Sequence, residues 1–251
     1  MDHPLDGALA HLDRADRNIV ELETFVQEYL RANEDDPFAD YDPTPEQVRT
    51  GFKIEGIRNR TLWPQPSIDG AVIVSAIIHH MRAALDYLVY ELAREDSAGI
   101  AQDGTQFLIE DVKTDPENPK RGFDYRARIY LKGLSPAHVD TIEQLQPYSG
   151  VPWTKALRDI SNPDKHRKLT VIRGRDRAVR RIVSGPPGSF EGKPGKVFSG
   201  AGREGSDVYL EAHYSIRVDL PEWNELPVVD ALKYLQSNVR ATIEMFQSEF
   251  K

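Results

Sequence analysis

The chain has 251 residues, enough for a sizeable buried core, and a formal net charge of −8. Hydrophobic residues make up 39% and charged residues 29% of it, a composition typical of soluble globular proteins. The negative net charge repels nucleic acid, so binding of RNA or DNA would require a local basic patch. The chain contains no cysteine, which excludes disulfides, thiolate metal sites and cysteine nucleophiles.

Two long helices are predicted in the first hundred residues, at about 4–32 and 67–94. In the first, apolar residues recur at intervals of three, four and seven with charges between them. In the second, one continuous stripe follows a 3-4-3-4 repeat and consists of Ala71, Val74, Ile78, Met81, Leu85, Leu88 and Leu92. Its opposite side is also apolar, so we expect this helix to be central or to form a homodimer interface. Residues 51–63, between the two helices, have strand character.

The second half of the chain mixes helix and strand patterns. Ser135 as N-cap and Pro136 in the first turn predict a helix at about 135–146, and a short helix is expected from Trp153 to Ile160, ended by Asn162-Pro163. Residues 95–133 are expected to be irregular. A hairpin over 167–183 that turns near Gly174, a strand at 208–220 and a helix at about 227–249 complete the prediction.

Together these elements predict a mainly α fold (α+β): a helical bundle with a small antiparallel β-sheet. We expect a single domain over 1–251, with its β-rich part at about 51–63 and 167–220. The N-terminal residues MDHPLDGALAHLD do not resemble a signal peptide, and the longest apolar run, AVIVSAII at 71–78, is shorter than the ~20 residues that span a bilayer. We therefore expect a cytoplasmic protein without a membrane partner.

Neither a cofactor nor a metal is predicted. The string GAGREG at 200–205 matches a dinucleotide-binding pattern, but it precedes a strand-like segment instead of opening a helix. His79 and His80 are adjacent on a helix, where successive side chains point about 100° apart, which does not suit a metal pair.

The helix at 67–94 carries the first candidate site. His79, Arg82 and Asp86 fall on one strip beside the core stripe, with Tyr90 at its edge. Arg82 and Asp86 have the i, i+4 spacing of a helical ion pair. The pair could orient the bundle, or Asp86 could fix the geometry of an arginine that binds an anion.

The second candidate site lies in SNPDKHRKL, residues 161–169. A histidine at position 166 can titrate near neutral pH, and the nearby Asp164 could fix its tautomer. Lys165 and Arg167 supply positive charge for a phosphate. The alternative interpretation is a turn that Asp164 caps, with the basic side chains in solvent.

Four segments in the same order resemble a family of uncharacterised bacterial proteins that is common in actinobacteria. The segments are MRAALDYLVYEL at 81–92, QFLIE at 106–110, LQPYSG at 145–150 and NPDKHRKL at 162–169. The first also resembles the R-x4-H signature of HEPN domains, helical bundles that include metal-independent ribonucleases of toxin and antiviral systems. This resemblance implies a HEPN-like bundle in which Arg82 acts at a phosphate. Tyr87 stands where those enzymes have their histidine, and a phenol with a pKa of about 10 is a poor general base at neutral pH.

Three functional hypotheses remain open. The first is a HEPN-like binding or regulatory protein that contacts RNA or a nucleotide phosphate through Arg82, Asp164, Lys165, His166 and Arg167. The second is a metal-independent ribonuclease, with Arg82, His166, Asp86 and Tyr87 as candidate catalytic residues. The third is a purely structural or protein-interaction role. A short distance between Arg82 and His166 would favour the first two.

Overall fold

The structure is a computed structural model that describes residues 3–32, 66–100, 102–165 and 226–250, together with five short strands between 172 and 218. Side chains are described for residues 3–32, 66–100, 102–161 and 226–250. Backbone contacts divide the chain into two compact units. The first comprises Met1–Phe25, Ser67–Ile172 and Val218–Lys251, and the second comprises Val26–Pro66 and Arg173–Arg217. The single domain over 1–251 stays a prediction, and the predicted strand at 51–63 lies outside the described residues.

The prediction of a mainly α-helical protein is confirmed. The helices are α1 (Asp6–Ala32), α2 (Ile68–Asp96), α3 (Phe123–Tyr130), α4 (Pro136–Gln144), α5 (Pro152–Lys165) and α6 (Val228–Phe246). Two 3-10 turns follow α4 and α6, at Pro147–Ser149 and Gln247–Glu249. The four helices predicted at about 4–32, 67–94, 135–146 and 227–249 therefore begin and end within a few residues of their expected bounds.

Helix α2 is the centre of the first unit because it is apolar on more than one side. All seven residues of its predicted stripe are buried, and so are Ile77 and Ala84 on another side. It packs against α5 and α6, and its His80 contacts His11 of α1. The predicted stripe of α6 is likewise buried at Leu232, Leu235, Val239, Ile243, Phe246 and Phe250. The homodimer through residues 67–94 stays a prediction.

The predicted N-cap of α4 is confirmed, whereas the predictions for the region of α3 and for the end of α5 are wrong. Ser135 has extended dihedral angles, and its hydroxyl accepts a hydrogen bond from the backbone N–H of His138, as its N-cap role requires. Residues 123–130 form α3 within a stretch predicted to be irregular, although only Phe123 is buried there. Helix α5 continues through Asn162-Pro163 to Lys165, so the proline removes one hydrogen bond near the C-terminus without ending the helix.

The strands are β1 (Ile172–Gly174), β2 (Ala178–Gly185), β3 (Lys196–Phe198), β4 (Asp207–His213) and β5 (Ile216–Val218). Antiparallel pairing joins β4 to both β2 and β3, and β1 pairs with β5. The predicted hairpin over 167–183 is therefore wrong in its pairing. Strand β2 has eight residues and β4 has seven, whereas β1 has only three. Pairing with β4 therefore gives β2 more backbone hydrogen bonds than pairing with β1 would.

By length and composition, α2 could also cross a bilayer. Of its most apolar window, 50% is buried inside the protein, and a core helix outside a membrane can have the same length and composition. The absence of a membrane partner stays a prediction.

Candidate functional site

Arg82 is a buried cation with incomplete hydrogen bonding. The residue is 8% exposed, and its Nη2 donates a hydrogen bond to the carbonyl oxygen of Phe107 at 3.1 Å. Its Nε and Nη1 are buried and have no hydrogen-bond partner within the described part of the chain. Burial lowers the pKa of Arg82, and the nearby carboxylate of Asp86 opposes that effect. Because an arginine stays protonated in proteins, these nitrogens remain donors without acceptors.

Asp86, like Arg82, forms a hydrogen bond with the backbone of Phe107. Its Oδ1 lies 3.8 Å from Nη2 of Arg82 and accepts a hydrogen bond of 2.8 Å from the backbone N–H of Phe107. The ion pair predicted from the i, i+4 spacing is therefore present. One helical turn of α2 thus binds both polar groups of the Phe107 backbone, which aligns residues 105–110 along the helix.

Residues 105–110 are held in place by side chains and by hydrogen bonds that come from elsewhere in the first unit. The side chains of Phe107, Leu108 and Ile109 are buried. Gln146, which is fully buried, accepts a hydrogen bond from the N–H of Glu110 and donates one to the carbonyl of Leu108. The segment forms a fixed wall beside α2 although its backbone belongs to no helix or strand.

A cavity of about 160 Å³ lies between this wall and three arginines from three helices. We call it the arginine cavity; it is lined by Arg82 of α2, Arg126 of α3, Arg158 of α5 and residues 106–110. The three arginines line one cavity because α2 and α5 pack together and because residues 105–110 pass beside α2. Three arginines and one glutamate, Glu110, give the lining of this cavity a net positive charge, which suits an anion with several oxygen atoms.

The three arginines of the cavity differ in how well they are paired. Arg126 forms an ion pair of 2.9 Å with Glu110. Arg158 forms ion pairs with Asp111 at 2.9 Å and Asp159 at 2.8 Å. Partial burial lowers the pKa of Arg158, but its hydrogen bonds to these two aspartates outweigh burial and raise it. The unsatisfied donors of the arginine cavity are therefore concentrated on Arg82.

The structure brings together only part of the predicted set. Arg82 and Asp86 are in contact, whereas Tyr87 lines a neighbouring cleft and has its ring centroid 5.2 Å from that of His11. Asp164 and Lys165 belong to the last turn of α5, and their side chains lie outside the described residues. His166 and Arg167 lie outside them as well, so their role in the site stays a prediction.

Sequence reasoning missed four contributors to the site. Phe107 acts through its backbone, which no side-chain pattern reveals. Gln146 lies in the LQPYSG segment, and Arg158 lies in the helix that follows it. A polar side chain beside apolar neighbours was the sequence feature that could have indicated each of them. Arg126 had no signal, because it lies on a short polar helix that periodicity does not detect.

Where side chains are described, no group of three or more His, Asp or Glu residues could hold a metal ion, and no histidine lines the arginine cavity. The comparisons with known proteins leave the chain without a family assignment: no family model, no curated protein and no solved structure matches it.

Proposed function

We propose that this chain is a cytoplasmic, HEPN-like α+β protein with a binding or regulatory role, and that it binds a phosphate-bearing ligand, RNA or a nucleotide, in the arginine cavity. The observation that carries the proposal is the pair of buried, unpartnered nitrogens on Arg82. Burying a polar group without a partner costs free energy, and the cost is larger for a charged group. A bound phosphate would supply the acceptors that Arg82 lacks.

The size and chemistry of the cavity favour a single anionic group. Its volume of about 160 Å³ is well below the ~300–1,000 Å³ of pockets that enclose a whole drug-sized ligand. Guanidinium groups match phosphate oxygens in geometry and charge better than lysines do. The Nε and Nη1 atoms are covered, so binding requires the guanidinium of Arg82 to turn toward the cavity that its side chain already lines.

Calorimetric titration with inorganic phosphate, pyrophosphate and a short single-stranded RNA tests this proposal. We expect Arg82→Met to weaken binding at least ~10-fold, the loss expected from one charge-assisted contact. Arg126→Met and Arg158→Met should weaken it less, because both arginines already have carboxylate partners.

Arg94→Met is the matched control. Arg94 lies on the same helix, but it is exposed and paired with Glu91, so its replacement should leave the affinity unchanged. The proposal is wrong if the wild-type protein binds none of the three probes, or if Arg82→Met binds them equally well.

A structural role is the second candidate, and one observation favours it. Arg82 and Asp86 bind the carbonyl and the N–H of the same residue, Phe107, which is how a pair that only positions a segment would act. In that case Arg82→Met would destabilise the protein by a few kcal/mol, as breaking a buried pair does. Ribonuclease activity stays a prediction, tested by incubating labelled RNA in EDTA with wild type and with His166→Ala.

A further inference from the structure

A second, larger cavity lies directly beside the arginine cavity. Its volume is about 430 Å³, and it is lined by Ala83, Asp86, Tyr87 and Tyr90 of α2 and by Gln102, Asp103, Gly104 and Thr105. We call it the tyrosine cleft. It carries two aromatic rings and two carboxylates, whereas the arginine cavity is lined by three arginines and one carboxylate, that of Glu110, which is paired with Arg126.

The two cavities are neighbours along both of their walls. On α2, Arg82 lines the arginine cavity and the next residue, Ala83, lines the tyrosine cleft. On the opposite wall, Thr105 lines the cleft and Gln106 lines the cavity. Between them lies the ion pair of Arg82 with Asp86, at 3.8 Å. One molecule could therefore occupy both cavities.

Tyr87 presents an aromatic surface in the cleft. Its side chain is 46% exposed although its ring packs against Gly7 of α1. A Cβ on Gly7 would lie 3.0 Å from two ring carbons, so the absence of a side chain there lets the ring lie close to the α1 backbone. A ring supported on one side and exposed on another is a platform on which a flat ring can stack.

Asp86 gives the cleft a directed acceptor. The hydrogen bond from the Phe107 N–H orients its carboxylate, and its side chain is 35% exposed. A carboxylate accepts hydrogen bonds from amino groups such as N4 of cytosine and is repelled by the carbonyl oxygen that uracil has at that place. Asp103 adds a second negative charge to the same cleft.

We infer that the two cavities are two subsites for one mononucleotide. Its phosphate binds in the arginine cavity, and its amino-bearing base stacks on Tyr87 and donates a hydrogen bond to Asp86. The charges set this orientation, because the carboxylates of the cleft repel phosphate while the guanidinium groups attract it. They also disfavour an RNA strand, whose further phosphates would approach Asp86 and Asp103. From Arg82 to Tyr87 the helix rises about 7.5 Å, a separation that a ribose can span between a phosphate and a base.

This inference rests on the proposed phosphate site and is tested by calorimetry on the full chain with inorganic phosphate, ribose 5-phosphate, CMP and UMP. We expect CMP to bind about 10-fold more tightly than ribose 5-phosphate, the contribution of one stacked base. We expect CMP also to bind several-fold more tightly than UMP, which differs from it in the group that meets Asp86.

Tyr87→Ala separates the two subsites. It should bring the affinity for CMP down to that for ribose 5-phosphate and leave the affinity for inorganic phosphate unchanged, which also shows that the variant is folded. Tyr234→Ala, which removes an exposed tyrosine on α6, is the matched control and should bind CMP as the wild type does.

The outcomes distinguish this inference from the proposed function. If ribose 5-phosphate binds as tightly as CMP, or UMP binds as tightly as CMP, the base subsite is wrong while the phosphate site stands. If CMP and UMP do not bind but the short RNA of the first titration does, the mononucleotide is wrong and an RNA ligand is favoured. If none of the probes binds, both the inference and the proposed function are wrong.

Discussion

Gln146 and Arg82 are two buried polar residues that bind the same short segment, residues 107–110, in contrasting ways. Gln146 accepts from the N–H of Glu110 at 2.8 Å and donates to the carbonyls of Leu108 and Ile142, each at 2.9 Å. Arg82 donates from Nη2 to one carbonyl, while its Nε and Nη1 have no partner in the described part of the chain. Both polar atoms of the Gln146 side chain are therefore paired, whereas only one of the three nitrogens of the Arg82 guanidinium donates a hydrogen bond there.

This difference separates a structural polar residue from a candidate binding residue. Folded proteins satisfy nearly all of their buried polar groups, because an unsatisfied one lowers stability. Gln146 follows that rule, so the fold alone accounts for it. Arg82 departs from it, and a ligand that supplies acceptors would account for the departure.

The largest effect is expected for Gln146→Leu. The change leaves the N–H of Glu110 and the carbonyl of Leu108 without partners in a buried place, so we expect the free energy of unfolding to fall by about 3 kcal/mol. Urea denaturation followed by circular dichroism measures it. Gln144→Leu, at an exposed position two residues earlier, should change it by less than about 0.5 kcal/mol. Equal effects of the two changes would contradict the structural role of Gln146.

A smaller effect on stability is expected for Arg82→Met. Methionine keeps most of the side-chain volume and removes a buried charge that is only partly compensated, so we expect a change of less than about 1 kcal/mol in the free energy of unfolding. The same variant should lose phosphate binding. A loss of several kcal/mol would instead place Arg82 with Gln146, as a residue that serves the fold.

A third polar contact can be changed from satisfied to unsatisfied by pH. Nδ1 of His11 and Nδ1 of His80 lie 2.9 Å apart, so the pair forms a hydrogen bond only when one of the two nitrogens is unprotonated. Burial is the main cause that lowers both pKa values, and for His80 the neighbouring charges of His11, His79, Arg14 and Arg17 lower it further.

The sign of the pH effect follows from these lowered pKa values. The unfolded chain binds protons at these histidines near their ordinary value of 6.5, and the folded chain binds them only at lower pH. Stability is therefore complete above the unfolded value and decreases as the pH falls toward the folded one. The free energy of unfolding of the wild type, measured by urea denaturation, should be lower at a pH of about 5.5 than at about 7.5. His11→Gln should reduce this difference between the two pH values. The control His79→Gln, at an exposed position, should keep most of the difference. A His11→Gln protein whose stability depends on pH as strongly as that of the wild type would contradict this account.

Elements with a strong local signal were predicted closely. The apolar stripes of α2 and α6 and the cap at Ser135 depend on residues a few positions apart, so the printed sequence contains them. α3 was missed because it is short and polar and buries only Phe123. The partners of β1 and β2 were assigned wrongly, because strand pairing depends on segments far apart in the chain and not on the turn between neighbours.

The candidate site divides in the same way. The contact between Arg82 and Asp86 follows from a four-residue spacing on a helix whose periodicity is visible in the sequence. The approach of Phe107, Arg126 and Arg158 to that pair depends on how α2, α3 and α5 pack, since these residues come from separate parts of the chain. Whether a buried donor finds an acceptor is a property of that packing. Residue types and spacing were therefore enough to single out Arg82, whereas its unsatisfied nitrogens and the adjoining tyrosine cleft became visible only in three dimensions.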